Sequence, residues 1–341
     1  MTAENKPDPA DADIVTAALA RRPVILVGGP TASGKSALAA DVAAAFDGVV
    51  INADSMQVYR ELEIITARPN AGDTAKAPHR LYGVLSAAER CSAAHWRALA
   101  LIEIDAALAA GRLPVMAGGT GLYLRALEQG LAPVPDIPEA VRRDARALHE
   151  SIGPEAFHAE LAQRDPDMAA RLNVSDTQRL LRAWEVVAAT GHSLAAWQAQ
   201  QSGQEGEAGA DNRRSTKLSF LKLAVIPPRE ELYARCDARF AAMASAGAVE
   251  EVEALLAMGL DPDLPVMKAI GVRELGGYLR GELSLDAAVS MAQQETRRYA
   301  KRQLTWLRHQ YTPKMAIETQ YSESLRAKIF NIIRQFLLTL H

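Results

Sequence analysis

The eight residues Gly29-Pro30-Thr31-Ala32-Ser33-Gly34-Lys35-Ser36 constrain the fold more than any other segment. A short β-branched run at 24–27, bounded by Pro23 and Gly28, precedes them and reads as a buried strand. An Ala/Leu-rich stretch with helical spacing follows at 36–46. Strand, glycine-rich turn and helix in that order make a phosphate-binding loop, in which Gly29 and Gly34 permit a tight turn that aims backbone N–H groups into one concavity. Lys35 reaches terminal phosphates, Ser36 is a candidate ligand for Mg²⁺, and the helix adds the partial positive charge of its N-terminus.

The alternation continues. Val49-Val50-Ile51 repeats the strand signal and ends at Asn52-Ala53-Asp54-Ser55, and a long helical stretch at 93–110 stops at Gly111. Pro114-Val115-Met116-Ala117 is another buried strand, running into Gly118-Gly119-Thr120-Gly121 and a helix from Leu122. These units predict an α/β fold: a P-loop NTPase-like core whose parallel sheet is flanked by helices. Three prolines within 131–138 mark a linker, and 139–201 is amphipathic and helical without a strand pattern. A strand returns at 218–226, Pro227-Pro228 ends it, and 229–258 and 283–309 are helical. The expected organisation is a flexible tail at 1–20, the first part of the core at 21–130 and a helical insertion at 131–201. A mobile Gly/Glu/Asn-rich loop follows at 202–216, the core is completed at 217–313, and a tail at 314–341 has no assigned role.

Composition excludes several classes. No apolar run approaches the ~20 residues of a membrane span, and the first twenty residues lack both the basic start and the apolar stretch of a signal peptide. Cys91 and Cys236 match no metal-ligand spacing, and with so little cysteine a reducing cytoplasm is expected. A net charge of −3 and a pI of 6.2 argue against indiscriminate coating of nucleic acid. The charge is uneven, however, because 297–308 carries five Arg/Lys and no acid. Nothing demands a dimer, so a monomer is expected.

A phosphate-binding loop alone suggests ATP or GTP, and many such enzymes hold Mg²⁺ with an aspartate at the end of a later strand. Here the strand at 114–117 ends in Gly118-Gly119-Thr120 instead. The well-placed carboxylate is Asp54, after the second strand. It either serves an acceptor in the crevice at the carboxyl edge of the sheet or caps a helix beginning near Ser55.

The phosphate loop, Asp54-Ser55-Met56-Gln57-Val58-Tyr59 and Gly118-Gly119-Thr120-Gly121-Leu122-Tyr123 resemble the three core motifs of bacterial tRNA dimethylallyltransferases. The resemblance continues through Asp176-Thr177-Gln178-Arg179-Leu180 and Ala269-Ile270-Gly271-Val272-Arg273-Glu274-Leu275. It ends with Arg298-Tyr299-Ala300-Lys301-Arg302-Gln303-Leu304-Thr305-Trp306-Leu307-Arg308, so it spans about 24–308 in the family's order. One segment departs: the family usually shows Ile-Gly-Thr-Ala-Lys-Pro where this chain has Ile64-Ile65-Thr66-Ala67-Arg68-Pro69.

The resemblance implies transfer of a dimethylallyl group from its diphosphate to N6 of the adenine 3′-adjacent to the anticodon in tRNA. It makes Asp54 the general base and Thr31 a catalytic partner. Gly29, Pro30, Thr31, Ala32, Ser33, Gly34, Lys35, Ser36 and Arg239 are to hold the diphosphate, with Mg²⁺ on Ser36. For tRNA it implies contacts from Asp54, Ser55, Met56, Gln57 and Thr120. Further contacts fall to Arg142, Gln178, Arg179, Leu180, Leu181 and Arg182, and to Arg273, Lys301, Arg302 and Arg308. Arg297 and Arg298 are further candidates for backbone phosphates, and Tyr299 or Trp306 for stacking on a splayed base.

Simpler readings stand beside these. Arg235 and Arg239 share a helix face and would equally serve as surface partners of Glu231 or Glu250. Thr120 suits a structural turn, the basic helix a solvated face, and His79, Trp184 and Trp197 ordinary packing. A small-molecule kinase, a prenyltransferase of free adenine nucleotides and a nucleic-acid-binding module are the competing functions. The kinase leaves the helical insertion unexplained, the second has no need of the long basic helix, and the third leaves Asp54 without a task.

Overall fold

The computed structural model describes residues 8–203 and 217–340. The chain divides into two compact units, one formed by Met1–Gln129 with Arg214–His341 and the other by Gly130–Arg213. The expected mobile loop at 202–216 lies outside the described residues from 204 onward.

The first unit is built on a six-stranded, wholly parallel sheet: β1 (Pro23–Gly28), β2 (Gly48–Asn52), β3 (His79–Arg80), β4 (Leu113–Gly118), β5 (Ser219–Val225) and β6 (Met315–Ile317). Its order is β3-β2-β4-β1-β5-β6. Strand β1 pairs with β4 on one side and β5 on the other, so the loop leaving it opens at the middle of the sheet's carboxyl edge. Period-2 alternation explains the burial of both faces. Val24 and Leu26 of β1 enter one apolar cluster, and Ile25 and Val27 enter the other.

The second cluster is covered by α1 (Pro9–Ala18), α2 (Lys35–Ala45) and the C-terminal helix described below. The first is covered by α4 (Ala93–Ala109), α5 (Gly121–Gln129) and four later helices; the short α3 (Ala71–Lys76) leads into β3. In the second unit, α6 (Glu139–Arg164), α7 (Pro166–Ala169), α8 (Thr177–Thr190) and α9 (Leu194–Gly203) enclose a small core around Phe157, Leu161, Leu180 and Trp184. Helix α6 is kinked where Gly153 turns left-handed (φ 81°) and Pro154 restarts the helix. The first unit resumes with α10 (Arg229–Ser245), α11 (Ala248–Ala257), α12 (Val272–Leu279), α13 (Leu285–Gln310) and α14 (Arg326–Leu338).

Both chain ends differ from expectation. From Pro9 the expected flexible tail is helix α1, capped by Asp8, with Val15 and Ala18 buried and Asp11 gripped by two guanidinium nitrogens of Arg334, Nε at 2.6 Å and Nη2 at 2.7 Å. The 314–341 segment supplies edge strand β6, and α14 inserts Ile329, Ile333 and Leu337 into the core. It also braces the phosphate loop's helix, since Tyr321 donates to Asp41 of α2 at 2.7 Å and Arg326 bonds the same carboxylate at 3.0 Å.

Candidate active site

The phosphate loop follows β1 as strand, turn and helix require. Ala32 and Gly34 adopt positive φ of 63° and 91°, which folds the turn back on itself. Its ends are pinned. Gln303 accepts the N–H of Thr31 at 2.8 Å, and Lys35 donates to the Pro30 carbonyl at 3.3 Å. The half-buried Lys35 has its ammonium pKa lowered to about 8, chiefly by burial and also by Arg239, while Asp54 opposes the shift. Ser36 stands exposed at the first turn of α2, and Ser33 is fully buried beneath the loop.

Arg239, on α10, donates to the hydroxyl of Thr31, and Arg235 one turn earlier donates to the carbonyl of Ala32 at 3.2 Å. Both arginines therefore face the phosphate loop rather than pairing with Glu231 or Glu250. Burial lowers the guanidinium pKa of Arg239, and the Cys236 and Asp54 side chains oppose that shift. Lys35, Ser36, Gly34, Arg235 and Arg239 share one mouth, lined also by Ala32 and Ala67, of about 530 Å³.

Asp54 sits just past the carboxyl end of β2, held by a neighbour the sequence did not flag. The buried amide of Asn52 accepts the Asp54 N–H at 2.8 Å and donates to the carbonyls of Asp54 and Leu81, each at 3.0 Å. Trp96 in turn donates to the Asn52 carbonyl at 2.9 Å. No helix begins at Ser55. Asp54 instead accepts the Met56 N–H at 3.0 Å and shapes a turn.

The Gly118-Gly119-Thr120-Gly121 segment packs three ways. A Cβ at Gly118 would collide with the Ala53 carbonyl, so the loops after β2 and β4 approach as closely as backbones can. Gly119 and Gly121 similarly leave room for the Gln303 amide and the Trp306 ring. The Thr120 hydroxyl accepts the Ser55 N–H at 3.0 Å, so this side chain ties the loop after β4 to the turn that carries Asp54. Gln303 was given no role from the sequence, because in a helix singled out for its charges and its aromatic residues one amide carries no sign of its partners. It is buried, joins Thr31 to the carbonyl of Gly119 and is a partner of the Tyr299 phenol, as is Thr120.

Next to the mouth is a second cavity of about 220 Å³. Its polar lining includes Thr31, Asp54, Arg239, Tyr299 and Arg302, and its apolar lining includes Ile65, Phe240, Met243 and Ile270. The loop carrying Ile65 is firmly held, with Glu251 accepting the N–H groups of Glu63, Ile64 and Ile65 at 2.6, 2.8 and 2.9 Å. The amide nitrogen of Gln57 is committed to the carbonyls of Thr66 and Ala67 at 2.8 and 3.0 Å. Arg68 donates to the carbonyls of Tyr59 and Arg60 and to Glu63, which explains why a cation stands at this position.

On α13, Lys301, Arg302 and Arg308 are exposed, whereas Arg297 pairs with Asp237 and Arg298 with Glu295. Arg302 lies 5.6 Å from the Tyr299 ring centre. Trp306 packs on Gly121 and beside Tyr311. Arg273 is exposed and bound to Glu274, whose buried carboxylate also receives the Gly271 N–H at 2.9 Å. In the second unit, Gln178 and Arg179 are exposed, and Arg182 faces Glu185 at 3.6 Å. Glu185 is raised by burial, an effect opposed by Arg182 and Arg142. Leu180 must be withdrawn as a contact residue, because it is fully buried in that unit's core, and Leu181 packs against the same core. Among the described residues no group of three or more His, Cys, Asp or Glu side chains forms a metal cage, and no helix is long and apolar enough to cross a membrane.

The family model described as "IPP transferase" matches residues 57–310. A tRNA dimethylallyltransferase of Rhodospirillum centenum is 58% identical over 291 residues, covering 85% of this chain and 90% of that one. The tRNA dimethylallyltransferase of Paramagnetospirillum magneticum is 53% identical, covering 93% and 98%. Among solved structures, a tRNA isopentenylpyrophosphate transferase from Bacillus halodurans superposes with a TM-score of 0.64 at 32% identity, covering 93% of this chain and 97% of that one. A eukaryotic dimethylallyltransferase acting on tRNA reaches a TM-score of 0.72 at 25% identity, covering 92% and 80%.

Proposed function

The chain belongs to the IPP transferase family, and from that premise we propose that it transfers a dimethylallyl group from dimethylallyl diphosphate to N6 of the adenine 3′-adjacent to the anticodon in tRNA. The reading is carried by one juxtaposition: the Asp54 carboxylate and the Thr31–Arg239 pair of the phosphate loop line a single cavity.

Adenine N6 is a weak nucleophile because its lone pair is delocalised into the ring. A carboxylate that accepts its proton as the new C–N bond forms raises the rate, and Asp54 takes that role. The allylic carbon tolerates positive charge, so the larger task is to stabilise the departing diphosphate. The backbone N–H groups of Ala32, Gly34, Lys35 and Ser36, the Lys35 ammonium and Arg239 are suited to it, with Thr31 oriented by Arg239. The N–H groups of Thr31 and Ser33 are donated to Gln303 and to the Pro30 carbonyl and are not part of that cradle. A phosphate-binding loop thus serves a leaving diphosphate without any nucleoside triphosphate.

The donor set fits Mg²⁺. That ion keeps much of its water and binds through few protein oxygens plus substrate phosphates, and Ser36 offers an exposed hydroxyl where the diphosphate would lie. When bound it supplies charge neutralisation on the leaving group. The anticodon stem-loop is to be met by Lys301, Arg302, Arg308 and Arg273 on the first unit and by Arg142, Gln178, Arg179 and Arg182 on the second. Ser55, Met56 and Thr120 receive the flipped base. We place the reaction in the cytoplasm, with a monomer as the acting unit.

The test is to incubate the protein with labelled dimethylallyl diphosphate, Mg²⁺ and either tRNA or AMP. Label entering tRNA alone is the expected result. Equal labelling of AMP makes it a nucleotide prenyltransferase, and no labelling with ATP consumed against a small acceptor makes it a kinase.

A further inference from the structure

Ile65 is a buried side chain in the wall of the cavity that holds Asp54, and the activity as proposed gives it no task. The side chain is 8% exposed and forms part of the apolar wall of the cavity that holds Asp54 and Arg239, together with Phe240, Met243 and Ile270. An allyl tail has no hydrogen-bonding atoms, so within this cavity only the apolar wall can receive it favourably.

The walls differ in how far they can yield. Met243 is an unbranched thioether that adapts to what it contacts. Ile65 is β-branched and stiff at its first torsion, and its backbone is immobilised by the Glu251 carboxylate. On the neighbouring stretch, Gln57 fixes the carbonyls of Thr66 and Ala67. Behind it there is no slack, because a Cβ built on Gly271 would lie 2.5 Å from Ile65 Cδ1 and 3.0 Å from the Phe240 ring. A longer tail therefore cannot push Ile65 aside without breaking the Glu251 bonds or displacing Gly271, the N-cap of α12.

We propose that Ile65 is a specificity-determining residue that limits the transferred group to five carbons, excluding longer allylic diphosphates such as geranyl diphosphate. The inference rests on the dimethylallyl reading above. It assigns to Glu251 a positioning role, holding the Ile65 wall against the pressure of a longer chain.

The experiment compares dimethylallyl and geranyl diphosphates as donors to tRNA in wild type, Ile65→Val, Ile65→Ala and Glu251→Gln, with thermal unfolding of each. The expected result is a kcat/KM ratio of geranyl to dimethylallyl donor that rises from wild type through Ile65→Val to Ile65→Ala. The last step should be about tenfold or more above wild type, the scale at which hydrophobic pockets discriminate added methylenes. Glu251→Gln, with the side chain at 65 intact, should also raise the ratio, by less. Folded variants that transfer dimethylallyl but keep the wild-type ratio would overturn the proposal and leave the activity standing. A wild type that transfers neither group to tRNA overturns the activity reading first, and this inference with it.

Discussion

The side-chain oxygen of Gln303 accepts the backbone N–H of Thr31 at 2.8 Å, across 272 residues of sequence, while its nitrogen donates to the carbonyl of Gly119 at 3.0 Å. One buried amide thus ties the phosphate loop to the loop after β4, from a helix whose exposed face carries Lys301, Arg302 and Arg308. Replacing it with leucine keeps the volume but leaves both backbone groups unpaired. The expected cost is about 1–3 kcal/mol, with a lower kcat/KM for the diphosphate donor and tRNA affinity changed little. Gln303→Glu keeps the acceptor and should fall between. Thermal unfolding with steady-state kinetics checks this, and wild-type values for Gln303→Leu in both would make the linkage idle.

Lys35 gives the donor a pH dependence. Its ammonium pKa is lowered to about 8 by burial, so the group is charged below that value and neutral above it. A neutral amine grips a diphosphate less well. In the free enzyme, kcat/KM for the donor should therefore decline as pH rises through about 8. In Lys35→Arg this decline should move above the accessible range, because a guanidinium stays protonated. The same midpoint in both proteins would remove Lys35 as its source.

The C-terminal segment should behave as core. Ending the chain after Pro313 removes β6 and exposes the surface covered by Ile329, Ile333 and Leu337, each contributing about 1.5–3 kcal/mol. The truncated chain is expected to lose cooperative unfolding. Arg334→Ala is milder: Asp11 is buried but its partner is 37% exposed, so about 1–3 kcal/mol is expected after discounting for solvent screening. A truncation with wild-type thermal unfolding would return 314–341 to an appendage.

Local signals explain what the sequence disclosed. The strand, glycine-rich turn and helix around 24–46 are contiguous, and each obeys its own periodicity, so the fold class followed. Strands β3 and β6 are two and three residues long, too short to show alternation. Helix α1 was hidden because its anchor, Arg334, lies 323 residues away. Leu180 was carried into the tRNA set with its motif, although its i, i+3, i+4 spacing to Ala183 and Trp184 marks the buried face of α8. Asp54 and Lys35, and Arg239 through the resemblance, could be singled out from the sequence, and they line the two cavities. Asn52 and Gln303, which hold their loops in place, could not, because a buried amide looks like any other polar residue until its partners are known.

The proton acceptor is the centre of the account, and single-turnover transfer by Asp54→Asn measures it most directly. Asparagine keeps the shape of the Asp54 turn and its oxygen can still accept the Met56 N–H, but it cannot take the proton from N6. With labelled dimethylallyl diphosphate and saturating tRNA, the rate should fall by roughly 10²–10⁴, with binding of both substrates close to wild type. A variant that transfers at the wild-type rate would contradict Asp54 as the general base.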